Sequence, residues 1–138
     1  MNMKSSVHII SEWDIVAARQ LGRNEAKDAG FATVDQARIT TAISELARNI
    51  YLYAGKGNIE IKQIVEGNQK GILIIAADEG PGIADVRKVM EDGYTTSGGL
   101  GAGLPGVKRL MDDFKIETAV GDGTTIIAPS AFFALEQA

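Results

Sequence analysis

Glu45 and Asn49 stand four residues apart in the stretch Ile39 to Ala54, ITTAISELARNIYLYA. On a helix that spacing is an offset of only about 40° around the axis, so a carboxylate and a carboxamide lie one above the other and can reach a common ligand. The first can take a proton, and the oxygen of the second suits a hard cation. Asp78 follows the apolar run GILIIAA and opens Asp78-Glu79-Gly80-Pro81-Gly82; an ionised carboxylate where a strand leaves the core is costly unless something donates to it. Gly93 to Gly103, GYTTSGGLGAG, holds five glycines in eleven residues and leads through Leu104-Pro105-Gly106 into a helical pattern. Bare backbone N–H groups at a helix N-terminus favour phosphate. Each segment, taken alone, has a plain structural alternative: a solvated helix edge, a turn, a flexible loop.

Other phosphate-binding motifs do not fit the glycine loop. A P-loop needs GxxxxGK[ST], and although Gly101 and Gly106 have the spacing, Val107 and Lys108 follow. Gly101-Ala102-Gly103-Leu104-Pro105-Gly106 satisfies GxGxxG, but it follows the polar EDGYTTSGG where a dinucleotide fingerprint needs an apolar strand. The HRD and DFG segments of eukaryotic-type kinases are absent.

The elements that must position these groups read as one mixed α/β unit without repeats or linkers. Ser5 to Ile10 is a short strand. Ser11 with Asp14 marks the start of a helix running to Ala29, which Gly30 stops. Thr33 with Gln36 forms a second capping box, starting a helix near Val34 that ends at Gly55-Lys56-Gly57. Its apolar residues Ile39, Ile43, Leu46, Ile50 and Tyr53 recur at steps of three and four, the stripe of a helix against a core. Ile59 to Val65 and Gly71 to Ala77 form a hairpin around the turn-rich Glu66 to Lys70, and the continuous apolar run of the second strand suits a central strand covered on both faces. A short helix from Asp85 to Met90, a helix with Val107, Leu110 and Met111 whose first turn holds Pro105, and strands Phe114 to Val120 and Thr124 to Ala128 around Gly121-Asp122-Gly123 complete the chain.

Composition narrows the chemistry. A chain of 138 residues is long enough for one domain that buries roughly two-thirds of its unfolded surface. With no cysteine, thiolate catalysis, disulfides and Cys-based zinc sites fall away. The single histidine, His8, sits at a strand position, and no triad or HExxH-type site can be built around it. A net charge of −4 without a basic stripe argues against nucleic acid. No apolar run approaches a membrane span and no signal-peptide pattern is present, so the expectation is a cytoplasmic protein.

Taken together the segments are specific. The order Glu45-xxx-Asn49 on a helix, Asp78-x-Gly80-x-Gly82 after a strand, Gly99-Leu100-Gly101-Ala102-Gly103 before a helix and Gly121-x-Gly123-Thr124 at a late hairpin resembles the N, G1, G2 and G3 boxes of the GHKL family. That family includes gyrase-type ATPases, Hsp90, MutL, histidine kinases and small bacterial anti-sigma serine kinases. Within it, EWDIVAARQLGR, VDQARITTAISELARNIYLYAGKG and RKVMEDGYTTSGGLGAGLPGVKRLMD closely resemble the switch kinases of the stressosome. The resemblance implies an α/β (α+β two-layer sandwich) fold of Bergerat type, a mixed, mainly antiparallel sheet with helices on one face, as a single domain over residues 1–138 with a short tail at 129–138.

The resemblance also implies ATP and Mg²⁺ as cofactors and gives each position a role. Asp78 would accept from the adenine amino group, with Gly80 and Gly82 admitting the purine and Thr124 adding a hydroxyl. Asn49 would offer its side-chain oxygen to Mg²⁺. Gly98, Gly99, Leu100, Gly101, Ala102 and Gly103 would close over the phosphates, and Glu45 would be the general base. Gyrase-type relatives carry a following transducer domain and histidine kinases a histidine-bearing domain in front, so a stand-alone module implies a serine/threonine-protein kinase. Its implied substrates are STAS-domain proteins of the stressosome, and its implied second partner is a PP2C-type phosphatase or another output enzyme. The alternative is an anti-sigma module that sequesters a sigma subunit. Phe132, Phe133 and Leu135 in the tail either dock a partner or fold onto the chain's own sheet.

Overall fold

Two helix boundaries set the layout. The Asp14 carboxylate accepts from the backbone N–H groups of Ile10 and Ser11, both at 2.9 Å, and so fixes the turn between strand β1 (Lys4–Ile9) and helix α1 (Glu12–Ala29). At the other end Gly30, with φ of 100°, donates to the carbonyls of Ala26 and Lys27 and reverses the chain. In the computed structural model, which describes residues 4–91, 103–129 and 133–134, the order continues with α2 (Thr33–Tyr53), β2 (Gly57–Glu66), β3 (Gln69–Asp78), α3 (Val86–Val89), α4 (Gly103–Leu110), β4 (Lys115–Ala119), β5 (Gly123–Pro129) and β6 (Phe133–Ala134).

Helix α2 begins at Thr33, with Ala32 at its cap, so the expected Thr33–Gln36 box does not form. The Gln36 side chain reaches back instead to the Phe31 carbonyl at 2.7 Å. The apolar stripe behaves as its spacing requires: Ile39, Ile43, Leu46 and Ile50 are buried, while Tyr53, at the end of the helix, is exposed.

The sheet runs β1-β2-β3-β5-β4, with β6 beside β3, and every pairing is antiparallel. Both β2 and β3 are longer than the sequence suggests, because their ladder continues to a two-residue turn at Gly67 and Asn68. Helices α1 and α2 pack on one face of this sheet, against Ile59, Ile61, Ile72, Ile74, Ala76, Ile126 and Ala128. The run GILIIAA is central, as expected, but covered unequally. Ile72, Ile74 and Ala76 are buried beneath the helices, whereas the alternate residues Leu73, Ile75 and Ala77 are only half-buried. Continuous apolarity therefore marks a strand with neighbours on both edges, with the helices on one side.

Helix α4 packs beside α2 and buries Leu104, Pro105, Gly106 and Val107. Arg38 of α2 donates to the Leu110 carbonyl and pairs with Asp35, placing a cation at the C-terminal end of α4. In the tail, Phe133 and Ala134 pair with Lys70 and Gln69, so that part of the chain joins its own sheet.

Candidate functional site

Strand register builds one half of the site. Thr118 of β4 lies opposite Thr124 of β5, and Thr124 lies opposite Asp78 of β3. Residues paired across neighbouring strands point to the same face, so the three side chains form a polar row at one end of the sheet, on the helix side. Thr124 is 5% exposed and Asp78 half-buried. One Asp78 oxygen, Oδ1, accepts the Gly80 N–H at 2.9 Å. That donor is what a carboxylate at the mouth of the core requires, and the second oxygen is left for another partner.

The loop after Asp78 is held against the β4–β5 hairpin. Gly121 N–H donates to the Pro81 carbonyl at 2.8 Å, and Ile83 N–H donates to Thr118 Oγ1 at 2.9 Å. Gly82 has φ of 77°, and a Cβ there would lie 2.2 Å from the Ala119 carbonyl oxygen; at Gly80 it would lie 2.6 Å from the Ala54 side chain. Both glycines thus make room for protein packing close to the Asp78 carboxylate. Gly123, with φ of 87°, passes so near β3 that a Cβ would lie 2.2 Å from the Asp78 carbonyl oxygen.

The other half comes from α2. Glu45 and Asn49, both half-buried, sit one turn apart beside the apolar stripe, on the side of α2 where α4 packs. Glu45 Oε2 accepts the backbone N–H of Gly103, the first residue of α4, at 3.2 Å. The carboxylate is therefore steered by a group 58 residues further along the chain. Of the residues expected in the glycine loop, Gly103 is the one placed at this contact; Gly98, Gly99, Leu100, Gly101 and Ala102 lie outside the described residues.

The donor set fits a nucleotide carrying its own metal. Among the described residues no cluster of three or more His, Cys, Asp or Glu side chains exists. Asn49 could supply one oxygen to Mg²⁺, and phosphate oxygens would have to complete the shell. An open pocket lined by His8, Asn58 and Ala77 lies at the same strand ends. Those three residues are in register on the helix-free face, and Asp78 and Glu79 also line the pocket, so it borders the site at the end of β3. Thr118 escaped the sequence reading, because its partners Ile83, Gly123 and Thr124 come together only once β4 pairs with β5.

The sequence model of the family described as "Histidine kinase-, DNA gyrase B-, and HSP90-like ATPase" matches residues 34–132. The chain is 71% identical over 128 residues to Serine/threonine-protein kinase RsbT of Bacillus subtilis (strain 168), covering 93% of this chain and 96% of that protein. It is 34% identical over 104 residues to Anti-sigma F factor of Clostridium acetobutylicum, covering 71% of each. In three dimensions it resembles the crystal structure of the RsbU and RsbW domains of a Mycobacterium tuberculosis protein, with a TM-score of 0.62 at 19% identity over 97% of this chain and 35% of that one, a likeness of fold. None of the described helices is long and apolar enough to cross a membrane.

Proposed function

The chain belongs to the histidine kinase-, DNA gyrase B- and HSP90-like ATPase family, and from that premise we propose that it is a cytoplasmic ATP-dependent serine/threonine-protein kinase acting on STAS-domain proteins of the stressosome. The observation that carries this is the 71% identity to a serine/threonine-protein kinase across almost the whole of both chains. The geometry supports it with a carboxylate and a carboxamide one turn apart on a rigid helix and an acceptor-only group at the end of a polar strand row.

In this reading Asp78 takes the adenine amino group on the carboxylate oxygen that Gly80 leaves open. A 6-oxo purine would set oxygen against oxygen there. Asn49 offers its side-chain oxygen to Mg²⁺, which when bound neutralises phosphate charge and helps align the nucleotide. Gly98 to Gly103 cover the phosphates. Glu45 Oε1 or Oε2 receives the proton of a partner's serine or threonine hydroxyl as that oxygen bonds to the γ-phosphorus and the bond from that phosphorus to the β,γ-bridging oxygen breaks, releasing ADP. General-base assistance of this kind contributes about 10²- to 10⁴-fold, and positioning supplies most of the remainder. The Gly103 N–H fixes the orientation of the carboxylate, so the loop's end and the base are set by one hydrogen bond.

A second output partner, a PP2C-type phosphatase or similar enzyme, belongs to the same proposal. The similarity to anti-sigma F factors favours one other reading, a module that sequesters a sigma subunit with ATP setting its affinity. Incubation with Mg-ATP and a STAS-domain partner, followed by mass spectrometry, separates the two. A phosphorylated serine or threonine on the partner is expected. A stable complex with a sigma subunit and an unlabelled STAS protein would sink the kinase assignment.

A further inference from the structure

Arg48 stands in α2 between Glu45 and Asn49, and its Nε is shut off from solvent without a hydrogen-bond partner. Among the described residues no carboxylate forms an ion pair with it. Glu45, one turn earlier, gives its Oε2 to the Gly103 N–H instead. A guanidinium is always charged and has donors only, and a buried donor left unpaired costs free energy. That cost is recovered when an acceptor arrives from outside the chain.

The position of Arg48 says which acceptor. On the helical wheel it lies about 170° from the centre of the stripe Ile39, Ile43, Leu46 and Ile50, so it belongs to the outer face of α2, away from the sheet. Leu52, four residues on, shares that face and is 47% exposed. Helix α1 continues the surface. The Gly30 turn makes α1 and α2 antiparallel neighbours, and their register is set where a Cβ on Gly22 would meet the Ile43 side chain at 2.1 Å. An equal number of residues from that contact along each helix, Leu52 comes level with Trp13. This single tryptophan of the chain is 81% exposed, and Val16, one turn on, is exposed as well. An unpaired arginine bordered by an exposed tryptophan, valine and leucine has the make-up of a binding hot spot, in which an apolar ring keeps water from a charged pair.

A protein whose hydroxyl is to reach Glu45 must cover this outer face, and Arg48, three residues on, is then beneath it. The nucleotide does not serve, because in the reading above its metal is held at Asn49, about 100° round the axis from Arg48. We propose that Arg48 recognises the protein substrate: its Nε and one Nη form a bidentate pair with a carboxylate, an Asp or Glu side chain close to the serine or threonine that is phosphorylated, and Trp13, Val16 and Leu52 close around that pair. The inference rests on the kinase reading above and adds to it what the substrate must carry.

The test uses the full chain with Mg-ATP and a tryptophan-free STAS-domain partner. Arg48→Met keeps the apolar stem and removes the fork. Its KM for the partner should rise by about 10- to 150-fold, the range of a charge-assisted hydrogen bond, with the kcat at saturating partner and the ATP Kd at parent values. Arg48→Lys keeps the charge without the fork and should recover only part of the loss. Changing the matching Asp or Glu of the partner to Asn or Gln should raise the parent's KM to the same extent and add nothing in Arg48→Met. Trp13 emission should move to the blue as the partner binds. Urea unfolding should find Arg48→Met as stable as the parent or more so, since an unpaired donor has been removed; an arginine that only braced α2 would lower stability and leave KM alone. Should Arg48→Met fail to fold, Arg48→Gln carries the same comparison. A parent KM, a weakened ATP Kd, unmoved Trp13 emission on binding or losses that add with every carboxylate of the partner would each overturn the inference. Absence of any phosphorylated partner removes the kinase reading itself, whereas phosphorylation at the parent KM removes only the role of Arg48.

Discussion

Replacing Glu45 by Gln separates chemistry from architecture, because the side chain has one job in the structure and a second in the proposed reaction. Its Oε2 accepts the Gly103 N–H at 3.2 Å, and in the proposed reaction the carboxylate also takes a proton. A glutamine keeps an acceptor oxygen of the same reach but cannot serve as base at neutral pH. Glu45→Gln should therefore lose about 10²- to 10⁴-fold in the rate of phosphoryl transfer with ATP affinity unchanged. Glu45→Ala should lose as much rate and, in addition, about 0.5–1.5 kcal/mol of stability for the vacated contact with Gly103. Single-turnover transfer of the γ-phosphoryl group from Mg-ATP to a STAS-domain substrate measures the first effect, and urea unfolding of both variants measures the second. A Glu45→Gln protein that transfers phosphate at the parent rate would refute the base assignment. A Glu45→Ala protein as stable as Glu45→Gln would show that the Gly103 contact carries no weight in the free protein.

Asp78→Asn should weaken ATP binding by about 10- to 150-fold, since a charge-assisted hydrogen bond worth about 1.5–3 kcal/mol is replaced by an amide that turns its N–H₂ toward the adenine amino group. Its stability should stay near the parent's, because the amide oxygen can still accept from Gly80; calorimetric titration and thermal unfolding check the two halves. Gly123→Ala forces a left-handed backbone on a residue with a side chain and drives a Cβ to 2.2 Å from the Asp78 carbonyl oxygen. Urea unfolding should register a loss of at least about 1–3 kcal/mol from backbone conformation alone. The Asp14 carboxyl titrates below its ordinary value, chiefly because the Ile10 N–H donates to it, joined by the Ser11 N–H and hydroxyl and the nearby His8, with burial opposing. A lowered folded value means that the stabilisation is present above the ordinary value of 3.8 and is lost as pH falls through the folded one. Unfolding curves taken from about pH 6 downward should show the parent converging on Asp14→Asn as the carboxylate range is crossed.

What the sequence disclosed follows the range of the interactions involved. Helix α2 was readable because its stripe from Ile39 to Ile50 repeats within one element, and Glu45 and Asn49 inherit their placement from that period. Asp78 was readable because the apolar run stops at it. The Ser11–Asp14 start and the Gly30 stop are local chemistry and appear as expected. Thr33 with Gln36 has the letters of a capping box, but a glutamine is long enough to choose another oxygen, and here it takes the Phe31 carbonyl. The unequal cover of Leu73, Ile75 and Ala77 was hidden because an apolar run does not say which face the helices take. Thr118 was hidden for a stronger reason. Its meaning depends on being opposite Thr124, and that depends on the register of a hairpin whose turn fixes it from outside.

That register makes the two ends of the sheet unequal in what they tolerate. A residue inserted at Gly121 or Asp122 that shifted β5 by one place against β3 would carry Thr124 to the helix-free face and bring Gly123 opposite Asp78 in its stead. The Gly67–Asn68 turn joins β2 and β3 at the far end, exposed and with open space around Gly67, about 30 Å of strand away from Asp78. Extra residues there lengthen a loop at little entropic cost and leave the polar row in step. A reporter peptide or fluorophore attachment belongs at Gly67–Asn68, and the length of the Gly121–Asp122 turn is a fixed dimension of the site.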